Sequence, residues 1–161
     1  MAEIIYGHRE GPGKGKEYPV HANIYFHRRG GHFVRVRDGY ATLCASGDAV
    51  TMGWAEVPKD TSGKNSWKSS STKGNDNVFV VNGLDDVFEM PCNEGKASLA
   101  ASYIGHGAAI VNNETTNATY ARVQQAKIGG GATASTLTIV DVDTTNNTVF
   151  VKIKPAYKQA A

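Results

Sequence analysis

The stretch LTIVDVDTTNNTVFVKIKP, Leu137 to Pro155, decides the fold. Two runs of strand-forming residues flank Thr144-Thr145-Asn146-Asn147, and Asn tolerates the positive φ of tight hairpin turns, so the segment reads as an antiparallel pair. Whether the loop holds two residues (Asn146, Asn147) or four (Thr144 to Asn147), alternation puts Val140, Val142, Val149, Val151 and Ile153 on one apolar face. Leu137, Ile139, Asp141, Asp143, Phe150, Lys152 and Lys154 fall on the other, with Asp141 opposite or diagonal to Lys152. Burying an aliphatic side chain contributes about 1.5 to 3 kcal/mol, whereas ordering each residue costs about 1 to 2 kcal/mol of backbone entropy. Such a hairpin cannot stand alone, and the rest of its sheet must lie upstream or on another subunit.

Upstream, HANIYFH, HFVRVRD, YATLCAS and AVTMGWAEV are punctuated by Gly30-Gly31, Gly39 and Gly47-Asp48, a rhythm of short strands typical of an all-β sandwich or barrel. In HFVRVRD, Val34 and Val36 face one side and Phe33, Arg35 and Arg37 the other, which predicts a half-exposed strand. Residues 58–77 are rich in Ser, Lys, Gly and Asn around a single Trp67 and read as a polar surface loop or linker. The expected organisation is a flexible N-terminal arm (1–19), a first β-rich lobe (20–57), that loop, a second β-rich lobe (78–155) and a tail (156–161). Asn82-Gly83 is a further hairpin candidate, and one short helix or turn is expected within Ala97 to Tyr103, ended by Gly105 and Gly107. The two halves share a β-rich outline without a convincing sequence repeat.

At 161 residues and 40% hydrophobic content the chain can build a real core. Seventeen Lys and Arg against fifteen Asp and Glu give a net charge of +2, too little for nucleic-acid binding by bulk electrostatics. No run of about 18 apolar residues suggests a membrane span, and the N-terminus carries no signal-peptide pattern, so synthesis in a cytoplasm is expected. On that expectation the sequons at Asn113, Asn117 and Asn146 are chance matches.

The chain offers no pattern that calls for catalysis, a cofactor or a metal. Cys44 and Cys92 fit no zinc spacing and read as buried thiols. Histidines 8, 21, 27, 32 and 106 form no ligand motif, although His27 and His32 are placed to face each other across a hairpin. Ala45-Ser46-Gly47-Asp48 lacks the nucleophile-elbow context, and Gly129-Gly130-Gly131 lacks the Lys-Ser/Thr of a phosphate loop. Arg28, Arg29, Arg35 and Arg37, interleaved with Tyr25, Phe26 and Phe33, could serve as a single-stranded nucleic-acid platform, but a solvated face explains them more simply.

Three segments carry a resemblance: ATLCASGDAVTMGWAEVPK (Ala41 to Lys59), DDVFEMPCNEGKASLAASYIGHGAAIV (Asp85 to Val111) and STLTIVDVDTTNNTVFVKIKP (Ser135 to Pro155). Together they resemble the decoration, or cement, proteins of tailed-bacteriophage capsids. The resemblance implies a non-enzymatic virion protein, commonly a homotrimer, on the outer capsid surface and contacting the major capsid protein; no membrane partner is expected, and the small net charge argues against nucleic acid. It transfers no functional residue by position. Partner-binding candidates therefore come from the residues themselves: Ile4, Ile5 and Tyr6 on a glycine-rich tether, Arg28 and Arg29, and Trp67. The alternatives are a tail, neck or fibre-base component of the virion and a single-stranded nucleic-acid-binding β-barrel.

Overall fold

A computed structural model describes residues 6–27, 32–44, 50–56, 66–92, 99–111, 124–128 and 136–159. Among them the all-β expectation holds, the only helical pieces being single 3-10 turns at Ala101–Tyr103 and Pro155–Tyr157. The strands are β1 (Gly7–Glu10), β2 (Gly15–Pro19), β3 (Tyr25–His27), β4 (His32–Arg37), β5 (Tyr40–Leu43), β6 (Gly53–Glu56) and β7 (Ser66–Lys68). They continue as β8 (Asn77–Val81), β9 (Val87–Pro91), β10 (Gly107–Val111), β11 (Gln125–Ile128), β12 (Leu137–Asp143) and β13 (Thr148–Ile153).

These strands form two closed barrels of the same design. The first runs β2-β8-β6-β4-β5, and a parallel bridge from Val20, just past β2, to Ala41 of β5 returns its last strand to its first. The second runs β9-β13-β12-β10-β11, and a parallel bridge from Cys92, just past β9, to Ala126 of β11 closes it likewise. Counted in chain order within each barrel, the strand sequence is first, fifth, fourth, second, third in both. The registers match as well. Val20 and Ala41 correspond to Cys92 and Ala126, and their neighbours Val36 and Val34 to Ile110 and Ala108. Gly53 and Ala55 then correspond to Leu137 and Ile139, and Val80 to Val151. The last step brings Tyr18 onto Met90 and returns to Val20 and Cys92 without a slip.

The corresponding residues also do the same work. Tyr18, Val20, Val34, Ala41, Leu43, Ala55, Val78 and Val80 fill the first core, and Met90, Cys92, Ala108, Ala126, Ile128, Ile139, Val149 and Val151 the second. Alternation along each strand makes this possible, one residue in two facing the barrel axis. Phe26 of the small β3-β7 ribbon joins the first core. The second core extends beyond its own barrel to Phe33, Trp54 and Val81, which project from the outside of the first. Trp54 stacks on Phe88 with ring centroids 5.9 Å apart, and Phe33 meets both edge-on, at 4.9 and 5.4 Å. That covering explains why the N-terminal half of β4 is buried rather than half exposed.

Several expectations require correction. Of the expected arm 1–19, residues 1–5 lie outside the described residues and 6–19 are not free: β1 pairs with β9 as a sixth strand beside the second barrel, and β2 is the first strand of the first barrel. Strand addition needs no core of its own, only main-chain hydrogen bonds to a formed edge, and glycine permits the close approach. A Cβ on Gly15 would stand 1.9 Å from the Val80 carbonyl oxygen, and Gly11, at φ +100, would meet the Asp86 carboxylate at 2.5 Å. The boundary between lobes lies at 82–86 rather than 58–77, because β8 is the fifth strand of the first barrel and β7 falls inside the expected loop. Asn82-Gly83 therefore links two barrels and not a hairpin, and β3 pairs with β7 rather than β4. The tail is also tied down: Lys158 bridges Thr51, and the Gln159 side chain accepts from Val36 N (2.9 Å) and donates to Val36 O (2.7 Å).

The opening hairpin forms with the four-residue turn, Asn147 adopting φ 58°. A bulge between Ile139 and Asp141 reverses the predicted faces of β12. Leu137 and Ile139 point inward opposite Ile153 and Val151, Val142 rejoins that face opposite Val149, and Val140 turns partly outward. Lys152 consequently stands opposite Thr138, and Asp141 opposite Phe150. Ile139→Ala should cost about 2 to 5 kcal/mol and Val140→Ala well under half of that, measured by denaturant midpoint; equal losses would contradict the bulge.

Asp143 closes the turn by accepting from Asn146 Nδ2 (2.8 Å), Asn146 N (3.0 Å) and Thr145 N (3.0 Å). The Asn146 side-chain amide, followed by its backbone N–H, holds the Asp143 carboxyl below its ordinary value. A lowered folded value means stabilisation that is present above the unfolded pKa and lost as pH falls through the folded one. Amide protection at Thr145 and Asn146 should thus weaken on acidification below about pH 4, and Asp143→Asn should flatten that dependence.

Candidate interaction surface

The strand that joins the barrels brings charge with it. Asp86 is fully buried, and its carboxylate accepts from Gly13 N (2.8 Å) and Gly83 N (3.1 Å) and lies 2.9 Å from His8 Nε2. One β1 residue further, Arg9 Nε donates to Glu89 Oε1 (2.9 Å), and Thr148 Oγ1 donates to Glu89 Oε2 (2.6 Å). Asp86 is thus held by backbone N–H groups and the His8 ring, and Glu89 by the Arg9 guanidinium and the Thr148 hydroxyl, which satisfies their burial and fixes β1 on β9. His8 completes the contact by resting edge-on against Phe88, 5.9 Å between centroids. Two glutamines tie the barrels elsewhere. Buried Gln124 accepts from Phe33 N (2.7 Å) and donates to the carbonyls of Phe33 and Cys44, as Gln159 does at Val36.

Outside each barrel, the matching register builds a row of three side chains across three strands. In the first, Glu17 of β2 and Glu56 of β6 stand on either side of Phe79 of β8, all three exposed. In the second, Glu89 and Asp141 stand on either side of Phe150. An aromatic ring between two carboxylates is an amphipathic contact that favours a cationic neighbour, through ion pairing at the ends and the ring face between. Arg9 supplies that cation to the second row.

The residues picked out from sequence are distributed differently. Tyr6 is half-buried against the core of the second barrel, so it anchors β1 rather than projecting from it. Trp67 lies on β7 opposite Phe26, with its side chain outside the described residues, as are Ile4, Ile5, Arg28 and Arg29. Phe26 and Phe33 are fully enclosed and offer no face for a base to stack on, which removes two of the three aromatics from the nucleic-acid platform. Cys44 and Cys92 are buried in one core, as expected of structural cysteines. No group of three His, Cys, Asp or Glu among the described residues is placed to hold a metal, and no helix among them is long and apolar enough to cross a membrane. Asp86, Glu89, Gln124 and Phe79 were not singled out from sequence; the signal for two of them was the echo of Glu17-Tyr18-Pro19 in Glu89-Met90-Pro91 and of Val78-Phe79-Val80 in Val149-Phe150-Val151.

No protein-family model, curated protein or solved structure matches this chain.

Removing the Asp86 carboxylate orphans the Gly13 and Gly83 N–H groups, each costing about 1 to 3 kcal/mol when buried. Asp86→Ala should therefore destabilise the protein by on the order of 3 kcal/mol, with hydrogen exchange at residues 7–10 accelerating more than in the β12-β13 hairpin. Equal acceleration everywhere would contradict the assignment of Asp86 to the β1 clamp.

Proposed function

We propose that this protein is a non-enzymatic virion structural protein, a capsid decoration protein that sits on the outer surface of a tailed-phage capsid and stabilises contacts between major capsid proteins. The observation that carries the reading is the duplicated barrel: one chain carries two barrels of matching register, each with an acid-Phe-acid row on its outside, open in the first and engaged by Arg9 in the second. A scaffold repeated within one chain suits a molecule that touches neighbouring, equivalent subunits of a lattice. In the proposed homotrimer such contacts would be repeated three ways, and simultaneous engagement would let individually weak contacts hold firmly. The resemblance in Ala41 to Lys59, Asp85 to Val111 and Ser135 to Pro155 points to the same class.

The glycine-rich N-terminus has a different part in this reading from a free clamp. Its strands belong to the body, so truncating residues 1–19 would unfold the first barrel rather than test binding. The appropriate experiment adds purified protein to expanded capsids that lack it and follows co-sedimentation and capsid melting. Saturable binding at a fixed ratio to the major capsid protein, with a raised capsid melting temperature, is the expected result. Finding the protein in virions only at the tail or neck, in a few copies, would reject the reading.

A further inference from the structure

The two barrels differ at one edge. In the second, the outward side of β9 is filled by β1, with Gly7 opposite Glu89 and His8 opposite Phe88. Val87, Phe88 and Glu89 are accordingly buried. In the first, the corresponding residues Gly15, Lys16 and Glu17 are exposed, and among the described strands β2 pairs along this stretch with β8 alone, its bridge to β5 coming beyond it at Val20.

The direction of the backbone groups on β2 follows from its hydrogen bonds. Val20 N donates to Asp76 O (2.8 Å) and Asn82 N donates to Lys14 O (3.2 Å), so the even-numbered residues turn their amides toward β8. In an antiparallel ladder the alternate residues point the other way. Gly15 and Glu17 therefore direct their N–H and C=O groups off the edge, as Glu89 does toward Gly7. The equivalent bond in the second barrel, Cys92 N to Asn147 O (3.3 Å), confirms the correspondence.

We infer that the Gly15–Glu17 edge of the first barrel is a strand-acceptor site for an extended, basic segment of a partner protein, bound antiparallel to β2 as β1 binds β9. The resident strand shows which chemistry fits. Arg9, two residues beyond the residue opposite Glu89, reaches the Glu89 carboxylate. At the open edge Glu17 takes the place of Glu89, Phe79 that of Phe150, and Glu56 adds a second carboxylate across the ring. An Arg or Lys on the incoming strand would complete this row. Lys16 does not oppose it, because its ammonium lies on the other face, 5.6 Å over the Tyr18 ring. The strand that fills the equivalent edge of the second barrel is not available here, since β1 is already committed to β9. That the donor segment lies on the capsid surface rests on the function proposed above; the edge itself does not depend on it.

The probe is a synthetic peptide with the sequence of residues 6–11, YGHREG, added at millimolar concentration to the isotopically labelled full chain. Chemical-shift changes and slowed amide exchange at Gly15 and Glu17 are expected. Replacing the peptide's Arg with Glu should weaken binding about two- to fivefold. Glu17→Pro, which removes an outward N–H that the β8 ladder does not use, should abolish it, and Glu17→Lys should weaken it with the fold retained. Shifts confined to β9, no shift at Gly15 and Glu17, or concentration-dependent shifts there without peptide would overturn the inference, the last by assigning the edge to a second copy. Peptide binding intact with no capsid binding would reject only the virion assignment.

Discussion

Phe88 packed on Trp54 and Phe33 is the contact on which the rest depends. A barrel of about 70 residues buries a smaller share of its surface than a larger domain does and is marginal by itself. At the place of Phe88 the first barrel has Lys16, which is exposed, so that side offers no comparable plug. The asymmetry lets one barrel complete the core of the other: three apolar side chains on the outer wall of the first become part of the interior of the second. Exchange of chain ends then locks the arrangement. β1 precedes the first barrel and joins the second, while Gln159 follows the second and binds the first.

Duplication of a scaffold usually leaves the copies free to diverge in what they carry, and here the divergence is at the edges and loops. The fourth and fifth strands are joined in the second barrel by a four-residue turn, and in the first by a long connection that includes β7. The acid-Phe-acid row persists in both, although a bulge supplies Asp141 in one and a regular strand supplies Glu56 in the other. Its persistence through different local backbone routes marks the row as a feature of the outer face rather than of any one hairpin. Where β1 covers the row's edge, Glu89 is buried and paired with Arg9; where no described strand covers it, Glu17 meets solvent.

The β character of the chain was legible because alternation and turn residues are local. Val34 and Val36 face one way and Phe33 the other, Asp38-Gly39 turns with both residues at positive φ, and the final hairpin forms where its Asn-rich turn predicts. The faces of β12 were misread because a bulge changes parity by one residue and leaves no trace in the alternation, Val140 being as apolar as Ile139. The N-terminal segment was misread for a related reason. Its few apolar residues cannot order it alone, and only a waiting edge on β9 and the buried Asp86 carboxylate give its glycines a fixed path.

What the sequence by itself determined, then, is the set of strands, most of their inward residues and the tight turns, since each depends on neighbours a few positions away. Which strands pair, where one barrel ends and the next begins, and which carboxylates are clamped or left open were decided by the tertiary structure alone. Those outcomes depend on edges and cores assembled from residues about seventy or more positions apart, such as His8 with Asp86 and Phe33 with Gln124. The duplicated register sat in the sequence only as two short echoes, Glu-x-Pro and Val-Phe-Val, because a barrel interior demands apolar volume at each station and not a particular side chain.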